Sequence, residues 1–169
     1  MEAVLRNLWK ISAATLLLSI SMTPAPAQVV ALGASNTLGW GVIEGQSYPS
    51  QLQAMLQAQG SSLRVTNEGV PGNTTGEMLA RLSSAVPDGT KIVILQFGTN
   101  DARLNTPPAT RQANVAAILE ELQKRGIKSL EVDEMMDAAL RDGLGQPDGI
   151  HLTAEGHRRV AAQLLPSIP

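Results

Sequence analysis

At 169 residues and 17.8 kDa the chain has room for one ordinary domain, and its 43% hydrophobic content is enough for a packed core. A net charge of −2 without runs of one sign offers no electrostatic footprint for nucleic acid, and the four aromatics (Trp9, Trp40, Tyr48, Phe97) make a poor platform for stacking bases or sugars. The absence of cysteine excludes disulfides, thiolate metal sites, cysteine nucleophiles and a lipoprotein anchor, and two histidines are too few for most metal centres.

Arg6 and Lys10 precede an apolar stretch from Ile11 to Met22, and Ala25-Pro26-Ala27 follows it. A basic start, a short apolar run and an Ala-x-Ala ending predict a secretory signal peptide over residues 1–27. The run is too short for a membrane span, which takes about 20 apolar residues. The expected location is periplasmic or secreted, with the functional domain occupying 28–169.

From there strands and helices alternate. Val29 to Leu32 is an apolar run that reads as a buried strand, and Tyr48 to Gln59 carries Leu52, Met55 and Leu56 at helical spacing. Leu63 to Asn67 reads as a second strand. Thr74 with Glu77 forms a capping-box pattern that opens a helix reaching Val86. Lys91 to Leu95 is the most strand-like segment. Pro107-Pro108 precedes a helix that ends near Gly126, and Ile127 to Val132 is a candidate fourth strand. A short helix around Met135 to Leu140 and a last one capped by Thr153 complete the chain. This order predicts an α/β fold, a three-layer αβα sandwich around an open parallel sheet of four to five strands. Ligands in such sheets sit beyond the carboxyl ends of the strands, which directs attention to loops 33–47, 67–75, 96–108 and 142–153.

Those loops lack a phosphate-binding loop, a dinucleotide fingerprint and a Gly-x-Ser-x-Gly elbow. They do contain Ser35 just past the first strand, glycine-rich Asn67 to Asn73, Asn100 just past the central strand, and Asp148-Gly-Ile-His151. A carboxylate three residues before a histidine, across a turn, is able to fix the ring tautomer and stabilise its protonated form. The backbone N–H groups of Ser35 and Gly72 and the Asn100 amide are candidate donors to a developing oxyanion. Each residue alone is more simply a turn or cap residue. His157, with no acid partner at comparable spacing, reads as a surface or helix-start packing residue.

Together, Val29-Val-Ala-Leu-Gly-Ala-Ser35, Asn67-Glu-Gly-Val-Pro-Gly72-Asn, Gly98-Thr-Asn100-Asp101 and Asp148-Gly-Ile-His151-Leu-Thr-Ala-Glu-Gly156 resemble the SGNH (GDSL-type) hydrolase family. The nearest group is that of the periplasmic acyl-CoA thioesterases, lysophospholipases and arylesterases. The resemblance implies a flavodoxin-like fold and a Ser35-His151-Asp148 triad. It also implies an oxyanion hole from Ser35, Gly72 and Asn100, a small-molecule acyl ester or thioester substrate, and no metal or cofactor. The same machinery serves carbohydrate O-acetylesterases, and a catalytically impaired ligand-binding derivative is a further alternative. Two departures stand out. Ala34 and Asn36 replace the acid and the apolar residue that usually flank the family serine. The segment 126–148 is also shorter than the family's by about one strand-plus-helix unit, and Lys128, Ser129 and Glu131 suit a buried strand poorly. Oligomeric state stays open.

Overall fold

A computed structural model describes residues 28–169, so the expected signal peptide lies outside the described residues. Four strands form one parallel sheet: β1 (Val29–Gly33), β2 (Val65–Gly69), β3 (Ile92–Leu95) and β4 (Lys128–Glu131). Their spatial order is β2-β1-β3-β4. Successive residues of a strand face opposite sides of a sheet, and the core divides accordingly. Val29, Ala31, Ile92 and Ile94 pack against α2 (Tyr48–Ala58), α7 (Asp133–Arg141) and α8 (Ala154–Leu164). Val30, Leu32, Val93 and Leu95 pack against α3 (Thr75–Ala80), α4 (Leu82–Ala85) and α6 (Pro108–Lys124). Both faces are therefore covered, which is why β1 and β3 are apolar without interruption. Three layers result, as the order of elements predicts.

Several boundaries differ from the sequence reading. The second strand begins at Val65 and runs to Gly69 because it pairs residue for residue with β1, from Val29↔Val65 to Gly33↔Gly69. As an edge strand of intermediate burial it accommodates Glu68 and Gly69, which pattern alone leaves to the following loop. The helix expected through Val86 is broken into α3 and α4 at Arg81, whose side chain turns into the loops at the strand ends. The Thr74–Glu77 capping box forms, with the Glu77 carboxylate accepting from the Thr74 N–H at 2.8 Å. Two four-residue helices, α1 (Ser35–Leu38) and α5 (Asn100–Arg103), were not expected, and each begins at a candidate site residue. The candidate fourth strand is real: β4 pairs with β3 in parallel and lies at the sheet edge.

His157 is fully buried, so the packing half of the sequence reading holds and the surface half does not. Its ring stacks on Tyr48 with centroids 6.4 Å apart, and its Nδ1 accepts the Tyr48 N–H at 3.3 Å. Burial, aided by the charge of His151, pushes its pKa down to about 4 from 6.5. Below pH 6.5 the unfolded chain takes up a proton that the folded one refuses until about pH 4. The stability from keeping this ring neutral is therefore complete above pH 6.5 and is lost as pH falls through that window. The loss amounts to about 3 kcal/mol. Urea unfolding at pH 7 and pH 4.5 should show it in the wild type and much less of it in His157→Asn, which retains an acceptor for the Tyr48 N–H. Equal pH dependence in the two proteins would contradict the assignment.

Candidate active site

The sheet reverses its winding between β1 and β3, and loops leaving both strands meet there, the expected place for a ligand crevice. Ser35 is the first helical residue after β1. Its approach is shaped by Gly33, where a Cβ would collide with Thr37 Oγ1 and the Gln96 side chain. Buried Gln96 holds that turn, because its Oε1 accepts from the Ala34 N–H at 2.8 Å and from Thr37 Oγ1 at 3.2 Å.

His151 arrives from the opposite end of the chain. Its Nε2 lies 2.9 Å from Ser35 Oγ, and its Nδ1 lies 2.6 Å from Asp148 Oδ2. The other carboxylate oxygen of Asp148 accepts the backbone N–H groups of Ile150, at 2.9 Å, and His151, at 3.0 Å. Gly149, at φ +69°, supplies the left-handed turn between them. One carboxylate thus shapes the loop with one oxygen and orients the imidazole with the other. The His151 ring bond, followed by the two backbone bonds, holds Asp148 well below the usual carboxylate range. Falling pH therefore leaves it ionised beyond the point where free carboxylates protonate.

Asn100 opens α5 and lines the same cavity as Ser35, a space of about 260 Å³. One hydrogen of its amide goes to the Asn73 carbonyl at 2.9 Å, which leaves the other for a ligand. Gly72 does not line that cavity; it stands in the neighbouring β2–α3 loop at φ +81°. Open space surrounds its Cβ position, so conformation rather than crowding favours glycine there. The first amide of a helix, here that of Ser35, has no intrahelical acceptor and is available to an anion.

Several supporting residues have no role legible in the sequence. Arg81 ties three loop segments together through Asn73 Oδ1 at 2.6 Å, the Glu68 carbonyl at 2.9 Å and the Gly33 carbonyl at 3.1 Å. Buried Asp101 accepts both the N–H and the hydroxyl of Thr75, joining the Asn100 turn to the start of α3. Asp133, at the start of α7, accepts from the N–H groups of Phe97 and Gly98. Burial raises its pKa against the pull of those bonds. Asp133, Asp137, Met136 and Leu140 form the α7 wall of the cavity, and α7 reaches the site directly because only Val132 separates it from the end of β4. Asn36, by contrast, was visible in the sequence as a departure, and its side chain reaches the His151 loop. Among the described residues no group of three or more His, Cys, Asp and Glu side chains is placed to hold a metal ion, and no helix is long and apolar enough to cross a membrane.

A parallel sheet with these groups gathered at its carboxyl end defines an α/β protein of the SGNH hydrolase fold. The chain belongs to the GDSL-like lipase/acylhydrolase family, which residues 31–142 match. It is 29% identical to the arylesterase of Vibrio mimicus over 103 residues, covering 60% of this chain and 52% of that protein. To the esterase TesA of Pseudomonas aeruginosa it is 27% identical over 115 residues, covering 68% and 57%. The chain spans about half the length of these curated relatives. The crystal structure of AlinE4, an SGNH-hydrolase family esterase, superposes with a TM-score of 0.62 at 27% identity, covering 83% of this chain and 93% of that one.

Proposed function

We propose that this protein hydrolyses small carboxylic esters or thioesters by acyl transfer through Ser35. The reading rests above all on the hydrogen-bonded relay from Ser35 Oγ through His151 to Asp148, assembled from opposite ends of the chain. His151 Nε2 takes the Ser35 hydroxyl proton as Oγ forms a bond to the acyl carbon. Asp148 keeps Nδ1 protonated and stabilises the imidazolium. The carbonyl oxygen, now anionic, is held by the Ser35 N–H group and the free hydrogen of Asn100, with the Gly72 N–H in the neighbouring β2–α3 loop as the third candidate donor. As the tetrahedral adduct collapses, the bond to the leaving alkoxide, phenoxide or thiolate breaks, and His151 returns the proton to it. Water then attacks the acyl-enzyme with His151 as base, releasing the acid and restoring Ser35.

The surroundings suit an acyl ester. All the large apolar side chains that stand exposed among the described residues, Leu38, Trp40, Ile43, Val70, Leu104 and Ile150, lie in α1 and the loops at this end of the sheet. Apolar surface so confined marks an interaction site, here for the acyl or aryl part of a substrate. The relatives named arylesterase and esterase agree with that chemistry. Export follows from the signal-like residues 1–27, and with it action on substrates outside the cytoplasm.

A fluorophosphonate probe tests the chemistry directly. Folded protein should acquire one covalent adduct, mapped by mass spectrometry to Ser35, with ester hydrolysis lost in proportion. Hydrolysis that persists in fully labelled protein, or an adduct elsewhere, would overturn the proposal.

A further inference from the structure

The residue beside the nucleophile is a buried amide. Asn36 Nδ2 donates to the Ile150 carbonyl at 3.0 Å, and Asn36 Oδ1 accepts from the Leu152 N–H at 3.0 Å. Because one neighbour is an acceptor and the other a donor, only one orientation of the amide satisfies both. Ile150 and Leu152 are the two residues that bracket His151, so a single side chain grips the backbone on either side of the base. The grip comes from the residue next to Ser35 in the same short helix, α1. Base and nucleophile are thereby referenced to each other across the shortest available path.

The other side chains that hold this backbone belong to the loop itself: Asp148 Oδ1 accepts the Ile150 and His151 N–H groups. Gln146 donates to the Trp40 and Leu152 carbonyls at 2.7 and 2.8 Å, and its N–H bonds the His151 carbonyl at 2.7 Å. These contacts close the loop on itself and tie it to the rim, several residues past Ser35. Leu152 is fully buried, so its N–H has no water to turn to if the acceptor is removed. An apolar residue at position 36 would supply neither bond.

We propose that Asn36 is a positioning residue for the reaction, setting the Ser35–His151 contact by clamping the peptide groups on both sides of His151. The proposal rests on the acyl-transfer reading above. Misplacement of a reacting group by about 1 Å costs up to about 10²-fold in rate, and a loss approaching that size is expected in kcat for Asn36→Leu. KM for a p-nitrophenyl ester should stay within about twofold, because Asn36 contributes to orientation rather than ground-state binding. Asn36→Asp keeps the acceptor for the Leu152 N–H but sets a carboxylate oxygen against the Ile150 carbonyl, so its kcat should also fall.

Amide hydrogen exchange supplies a readout independent of turnover. Protection of the Leu152 N–H should drop in Asn36→Leu and persist in Asn36→Asp, while the Gln146 N–H stays protected in both. Unchanged kcat in Asn36→Leu with Leu152 deprotected would overturn the proposal, as would unchanged Leu152 protection. Equal losses in the two variants that track a lowered unfolding midpoint would also overturn it, by making the role one of folding. If the wild type hydrolyses no ester, the acyl-transfer reading fails, and the exchange pattern still reports separately whether the clamp exists.

Discussion

Ser35→Ala is expected to lower kcat for a p-nitrophenyl ester by about 10⁶-fold, the scale seen when a nucleophile is removed from a serine triad. The substitution deletes one oxygen and leaves the backbone N–H of residue 35, the Asn100 amide and the cavity in place, so substrate binding should survive. In the proposed reaction the relay acts as a unit: without Oγ, His151 has no proton to take, and without His151, Oγ has no base at 2.9 Å. His151→Ala should therefore cost about as much as Ser35→Ala, and the double variant little more than either. Steady-state kinetics on the three proteins checks this. Multiplicative losses in the double variant would mean that Ser35 and His151 act separately.

Asp148→Asn should lower kcat at neutral pH by about 10⁴-fold while leaving the fold and the loop intact. The reason lies in how the two carboxylate oxygens divide their work. The asparagine oxygen replaces Oδ1 and keeps the bonds from the Ile150 and His151 N–H groups. The NH₂ group then stands where Oδ2 accepted from His151 Nδ1, and as a donor it forces the ring to present a lone pair there. Nε2 must then carry the proton, so it faces Ser35 Oγ as a donor and is no longer a base. Asp148 is partly exposed, with 41% of its side-chain surface open to solvent, against 13% for His151. Its contribution therefore comes chiefly from tautomer control through the short bond and less from a field in a dry interior. A fall of tenfold or less would show that solvent or another group can orient the ring.

The parts of this architecture legible in the sequence share a physical cause. β1 and β3 are covered on both faces, so burial itself writes an apolar run, and their ends locate the loops holding Ser35 and Asn100. Asp148 and His151 were legible because one turn contains both partners. β2 was misplaced by two residues since an edge strand tolerates Glu68 and Gly69, and its register is set by pairing with β1 rather than by pattern. Arg81, Gln96 and Asp133 were silent. Each acts through contacts with residues distant along the chain, and a single polar side chain has no period to betray it. Asn36 lay between these cases: the departure could be seen, but its purpose depends on Ile150 and Leu152, more than a hundred residues away.

The place of β4 as the outer strand of the sheet among the described residues also has a consequence for how molecules of this protein meet one another. A terminal strand presents a row of unpaired peptide groups, an invitation for a strand of a second molecule to extend the sheet. β4 is four residues long, and Lys128, Ser129 and Glu131 are all exposed along it. Any strand approaching that border would have to desolvate two charges for a short ladder of hydrogen bonds. The same polar residues that suit a buried strand so poorly thus make the outer edge of the four strands among the described residues a poor template for a further strand.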